Sequence, residues 1–251
     1  MSEEDYMSHK FHTAGKRIGL VLSGAVLVCL LASCSLSGKG AVVGGESDDS
    51  FEEGEYQTFL TPAESFKAVL LDDRDFICTD LQNERLGLKD IKEAVTDEEE
   101  VTMAATEFTV IDLDDDGQQE IVLWLKINGV SDYGFAVLRY REGDIYEYTL
   151  PYRSFMELKT DGTFLFSSGA ADSGIGKLNF SEEEYTIDAL YYCRSDFDFE
   201  KGLLTVQFFL KGALCTEDKF EDGIGRQEEK ADAVWHDLTA DNINSVLEAF
   251  S

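Results

Sequence analysis

The stretch FTVIDLDDDGQQEIVLWL, Phe108 to Leu125, decides how this chain is read. Phe108 and Val110 alternate with polar neighbours, the period-two mark of a half-buried strand, while Ile121 to Ile127 is almost wholly apolar, as a central strand is. Between them lies an acidic loop, Asp112 to Glu120, that contains Gly117. The pattern predicts strand, tight carboxylate-rich turn, strand.

Working outward, further Val-, Ile-, Phe- and Tyr-rich runs predict strands near Gly134 to Tyr140, Ile145 to Leu150, Thr163 to Phe166, Tyr185 to Cys193 and Leu203 to Leu210. Arg141-Glu142-Gly143-Asp144 and Asp161-Gly162 have the composition of hairpin turns. On the N-terminal side, Thr61-Pro62-Ala63-Glu64 predicts a helix start: Thr61 caps free N–H groups, Pro62 needs no hydrogen-bond partner in the first turn, and Glu64 completes a capping box. Phe66, Val69 and Leu70 then share one face. Leu88, Ile91 and Val95 predict a second short helix. Beyond the strands, Glu217 to Lys230 is weakly amphipathic and broken by Gly223 and Gly225, and Thr239 caps a last helix with Ile243, Val246, Leu247 and Phe250.

Helices first, strands in the middle and helices last predict an α+β fold: an antiparallel sheet meander flanked by N-terminal and C-terminal helices. Strands do not alternate with crossover helices, which argues against a parallel sheet. No repeat of twenty to fifty residues is present, which argues against a full propeller or solenoid.

The N-terminus reads differently. A polar start ends at Lys16-Arg17, an apolar run follows from Ile18 to Leu31, and small residues precede Cys34. The run is short and rich in Gly and Ala, which fits a signal sequence better than a membrane span. Leu31-Ala32-Ser33-Cys34 resembles the lipobox of bacterial lipoproteins, which implies that Cys34 receives a diacylglyceryl group and becomes the mature N-terminus. Acids at Glu3, Glu4 and Asp5 are unusual for such a leader, and a start at Met7 gives a cleaner one. Residues 1–33 are thus expected to be a signal peptide, and 34–57 a lipidated cysteine followed by a flexible Gly-, Ser- and acid-rich tether. Residues 58–251 are expected to form one domain. The expected location is the extracytoplasmic side of a cell membrane, held by lipid.

Charge narrows the function. Lys and Arg number 21 against 51 Asp and Glu, for a formal net charge of -30. A field of that sign repels phosphate backbones, so no nucleic-acid partner is expected. The 17 Phe, 10 Tyr and 43% hydrophobic content supply a core that disordered acidic chains lack. Beyond Cys29 in the leader and Cys34, the domain holds Cys78, Cys193 and Cys215, enough for at most one internal bridge. Cys193 and Cys215 flank a predicted hairpin and are the more plausible pair, with three thiols as the alternative.

The chemistry is concentrated in the acidic loop. Hard cations such as calcium take six to eight oxygens, and carboxylates at alternate loop positions supply them. Asp112, Asp114, Asp116 and Glu120 fit positions one, three, five and nine, with the Gln118 carbonyl at seven and Asp115 pointing outward. Leu123 at position twelve and the strand flanks depart from an EF-hand. The segment instead resembles the strand-loop-strand calcium sites of FG-GAP and VCBS-type repeats, in a single copy over about residues 108 to 125, which implies a calcium-stabilised hairpin. The order of capped helix, acidic hairpin, SDYGFAVLRYREGDIYEY and terminal helices also resembles uncharacterised secreted lipoproteins of Gram-positive gut bacteria. No activity comes with that likeness.

Other motifs are incomplete. Gly174-Ile175-Gly176-Lys177 lacks the first Gly and the Ser or Thr of a phosphate loop, and Ser173 lacks the Gly of a nucleophile elbow. His236, beside Trp235 and Asp237, reads as a boundary residue before the last helix rather than as a triad partner of Ser173. Asp196, Asp198 and Glu200 alternate with Phe197 and Phe199, as on a half-buried strand end. No catalytic residue is assigned, and an enzyme is not the expected class. The expected function is an envelope-anchored binding or interaction module with a structural calcium loop and an unidentified protein or glycan ligand. The alternatives are an envelope hydrolase acting on glycan or peptide, which requires two buried carboxyls in one cleft, and a structural cap, which requires an exposed apolar patch.

Overall fold

The computed structural model describes residues 60–95, 101–169, 172–181, 184–198 and 202–249. The expected leader, Cys34, the expected tether, Phe199, Glu200 and Phe250 lie outside the described residues. Along the chain, helix α1 (Pro62–Leu70) leads to strands β1 (Phe76–Cys78) and β2 (Glu84–Leu86), then to helix α2 (Ile91–Val95). The strands β3 (Met103–Ile111), β4 (Glu120–Ile127), β5 (Ser131–Arg141) and β6 (Asp144–Pro151) follow. After them come β7 (Thr163–Ser167), β8 (Ser173–Phe180), β9 (Tyr185–Asp198), β10 (Leu203–Leu210) and β11 (Ala213–Cys215). Helix α3 (Glu217–Glu228), the short strand β12 (His236–Asp237) and helix α4 (Ala240–Glu248) end the described chain.

The fold is mostly β, with antiparallel sheets and a few helices. The strands form two sheets rather than one meander. One has the order β12-β3-β4-β5-β6-β1-β2 and the other β11-β10-β9-β8-β7. Among the described residues a single parallel pair, Ile77 with Tyr146 and Cys78 with Glu147, adds β1 to the edge of β6. The triplet Phe76-Ile77-Cys78 is too short to show a period, which is why sequence pattern passed over it. Strand β8 was likewise hidden: its Ser173 to Lys177 portion reads as a loop motif, yet it pairs along both β7 and β9.

Strand β4 lies inside the larger sheet, between β3 and β5, as its apolar run predicts. Ile121, Leu123 and Leu125 point to one face, where they cluster with Phe66 and Val69 of α1 and with Ile243 and Leu247 of α4. Val122 points to the other face, beside Val137 and Leu150, and meets Phe164 and Leu178 of the second sheet. Each such buried side chain contributes about 1.5–3 kcal/mol, so both faces of β4 are tied to cover.

Local signals set the element ends. In α1 the Thr61 hydroxyl accepts from Glu64 N at 3.3 Å and Glu64 Oε2 accepts from Thr61 N at 2.8 Å, a complete capping box. Thr239 Oγ1 accepts from Asn242 N at 3.3 Å at the start of α4. The β5–β6 hairpin turns at Glu142 and Gly143, both at positive φ, with Arg141 opposite Asp144. Two positive φ values in a two-residue loop match the twist of the flanking strands.

The short helix expected over Leu88 to Val95 is present, as a 3-10 turn, Leu88–Asp90, running into the five-residue α2. Two expectations are corrected. Helix α3 continues through Gly223 and Gly225 instead of breaking there. A Cβ at Gly223 would stand 2.5 Å from the Tyr191 ring, so this glycine permits the helix to lie directly against β9. Finally, Cys193 and Cys215 are not a disulfide pair. Both are register partners of Phe208, one in β9 and one in β11. Two strand spacings come to roughly 9.5 Å, beyond the ~7 Å Cα separation that a bridge tolerates.

Candidate metal centre

The acidic loop is held at both ends by the β3–β4 ladder, which closes with Ile111 opposite Glu120. Within it, Asp115 and Gly117 take positive φ, 62° and 84°. Nothing lies within 4 Å of the Cβ that Gly117 lacks, so the left-handed backbone and not crowding accounts for a glycine there. Four of the loop's own N–H groups are satisfied by its acids. Asp112 Oδ2 accepts from Gly117 N at 3.0 Å, Asp114 Oδ1 from Asp116 N at 3.2 Å, and Asp116 Oδ1 from Gln118 N at 2.7 Å. Glu120 Oε2 accepts from Leu113 N at 2.9 Å.

Asp112, Asp114 and Glu120 therefore each spend one oxygen on the turn and keep a second, while both oxygens of Asp116 accept from Gln118. Ligand oxygens of Asp112, Asp114 and Asp116 lie within 4.8 Å of one another, a group that could hold a metal ion. Glu120 falls outside that group. Gln118 gives its backbone N–H and its Nε2 to Asp116, the latter at 3.0 Å. Glu120 is fully buried at the first position of β4. Asp115 is exposed, as expected, and pairs with Lys177 of β8.

Arg139 is the residue that sequence reasoning missed. Its Nη2 is 2.6 Å from Asp116 Oδ2 and 3.2 Å from Asp114 Oδ2, and its Nε is 3.6 Å from Glu120 Oε1. The guanidinium also lies over the Phe180 ring of β8, 4.7 Å from its centroid. A signal was present. In GFAVLRYR, Arg139 has the parity of the inward-facing Phe135 and Val137, and an arginine at such a position calls for a buried anion.

One guanidinium does not balance four carboxylates. Asp112 Oδ1 and Glu120 Oε1 are buried and accept no hydrogen bond. Burial holds Glu120 up to about 8, against the hydrogen bond from Leu113, and the charge of Asp114 adds to the rise. Asp114 is also raised, chiefly by burial, with Arg139 opposing.

The remaining candidates do not converge. Ser173 Oγ lies 3.6 Å from Cys193 Sγ in the smaller sheet, whereas His236 is in the larger one, its ring 5.7 Å from that of Phe108. Asp196 is exposed on β9. The other acid buried among the described residues, Glu147, is held up to about 7 by burial, while hydrogen bonds from Thr149 and Cys78 pull it down. It pairs with Leu138 on the helix-covered face, opposite to the face of Glu120. The two buried glutamates thus do not share a cleft. Exposed apolar side chains, Phe197, Leu203, Leu204 and Val206, gather on the β9–β10 hairpin.

Comparison with family models, with curated proteins and with solved structures finds no match for this chain.

Proposed function

We propose that the protein is an envelope-anchored lipoprotein whose folded region, residues 58–251, is an extracytoplasmic binding module stabilised by calcium in the Asp112–Glu120 loop. The anchor part rests on the lipobox-like Leu31 to Cys34. Among the described residues no helix is long and apolar enough to cross a membrane.

The observation that carries the calcium part is the cluster of Asp112, Asp114 and Asp116, in which Arg139 meets Asp114 and Asp116 while the buried Asp112 Oδ1 accepts no hydrogen bond. An unpartnered buried anion is costly, and a hard divalent cation with oxygen ligands removes that cost. Asp112, Asp114, Asp116, Glu120 and the Gln118 carbonyl are the proposed ligands. Calcium suits the set better than magnesium, because it accepts irregular, many-oxygen geometry while magnesium demands a small octahedron and gives up water reluctantly. The role is structural: the ion fixes the β3–β4 turn against β5 and β8. The test is calorimetric titration of the chelator-stripped protein with calcium. Binding of one ion with a rise in melting temperature is expected, and absence of both heat and stabilisation would leave only an acidic hairpin.

A further inference from the structure

Both tryptophans of the chain, Trp124 and Trp235, meet in a depression of about 400 Å3 on the side of the larger sheet away from α1 and α4. Their ring centroids are 5.1 Å apart at 68°. Tyr152 adjoins Trp124 at 6.4 Å, and Phe135 lies within 5.2 Å of Trp124 and 5.9 Å of Trp235. Phe135 is buried, whereas the two indoles and Tyr152 are half-buried. The surface is held in place. Trp124 Nε1 donates to Asp132 Oδ1 at 2.9 Å, and the segment leading to Trp235 is tied down by Ala233 N donating to Leu158 O at 2.9 Å.

Rings this close touch one another, and the two indoles meet edge-on, so they form an angled aromatic wall and leave no gap between them for a ligand. The rim is polar and of mixed sign. Lys159 Nζ lies 2.6 Å from Asp232 Oδ1, with the lysine side chain 5% exposed and the aspartate 80% exposed, and exposed Glu157 adds a second carboxylate. A free anion meets two carboxylates there, and a cation meets the buried ammonium. A hydroxyl group both donates and accepts, so a hydroxyl-rich ligand can use all three rim groups.

We infer that this depression binds a neutral carbohydrate, with the C–H face of a pyranose ring packed on the Trp235 indole beside Trp124 and its hydroxyls bonded to Glu157, Asp232 and Lys159. The volume lies within the ~300–1,000 Å3 of small-ligand sites, and half-exposed tryptophans with a polar rim mark such a surface. The inference gives a ligand class to the binding-module reading and rests on it, but uses no residue of the calcium loop.

Because both tryptophans line the site, indole fluorescence reports on it directly. The full mature chain, in calcium, is titrated with cellobiose, chitobiose and maltose, and in parallel with tetramethylammonium and glucuronate. A saturable fluorescence change with at least one of the neutral disaccharides is expected. Glu157→Ala, an exposed change that leaves the core intact, should weaken it about 3–10-fold. Trp235→Ala should weaken it more than about 10-fold, with Trp235→Phe intermediate at an unchanged melting temperature. Saturation by tetramethylammonium or glucuronate alone overturns the inference, and so does the absence of any response. If calcium still raises the melting temperature of that same unresponsive sample, the calcium reading stands and only the sugar inference falls.

Discussion

Arg139 Nη2 lies 2.6 Å from Asp116 Oδ2, joining residues 23 positions apart in sequence across the β4–β5 pair. The guanidinium is thus the internal cation of the acidic loop, and it neutralises only part of the charge there.

Calcium should act on what Arg139 leaves. With a dissociation constant of ~0.1–1 mM, typical of extracellular calcium modules, ~1 mM calcium stabilises the fold by about 0.4–1.4 kcal/mol. Asp114→Ala should abolish the calcium-dependent rise in melting temperature, whereas Asp115→Ala, at an exposed position, should keep it. Arg139→Gln should lower the calcium-free stability by about 1–2 kcal/mol and enlarge the calcium-dependent rise. Thermal melts of the four proteins with and without calcium decide this, and equal responses from Asp114→Ala and Asp115→Ala would sink it.

Glu147 predicts a pH dependence of the opposite sense to a salt-bridged acid. The group is held up from 4.5 to about 7, first by burial. Between those values the folded chain binds more protons than the unfolded chain, so stability falls as pH rises through the window and stays low above it. The full effect is at most about 3 kcal/mol. Glu147→Gln, which cannot ionise, should therefore gain on the wild type between pH 5 and pH 8 by about 1–3 kcal/mol in denaturant melts. A difference between the two proteins that does not change with pH would show that Glu147 is already ionised at pH 5.

The thiols should separate by access. Cys78 is fully buried, and burial followed by the nearby charge of Glu147 pushes its thiol up to about 12. A thiol-directed aromatic disulfide at pH 8 should modify Cys193 and Cys215, which are partly exposed, and spare Cys78 until the protein is unfolded. Peptide mapping gives the answer. Recovery of a Cys193–Cys215 bridge from native protein would contradict their placement on either side of Phe208.

Expression of the whole chain in a bacterium should yield a membrane-fraction protein whose first residue is a lipid-modified Cys34. Cys34→Ala should release or misprocess it. Full membrane retention of that variant with the leader still attached would point to an uncleaved anchor instead.

Much of the site and the fold was legible along the chain. The capping box at Thr61, the turn at Glu142-Gly143, the central run Ile121 to Ile127 and the aspartate spacing around Gly117 are set by residues within a few positions of one another. Short-range sterics and hydrogen bonding suffice to specify them. What only the tertiary structure decided is which elements meet. A strand's period of two tells which side chains share a face but not which other strand will lie beside it. The split into two sheets, the parallel insertion of β1 beside β6, the placing of Cys193 and Cys215 on either side of Phe208, and the delivery of Arg139 to Asp114 and Asp116 all depend on long-range register. So does the meeting of Trp124 with Trp235, which are 111 positions apart in the chain and in contact only because the segment before β12 returns across the face of β4.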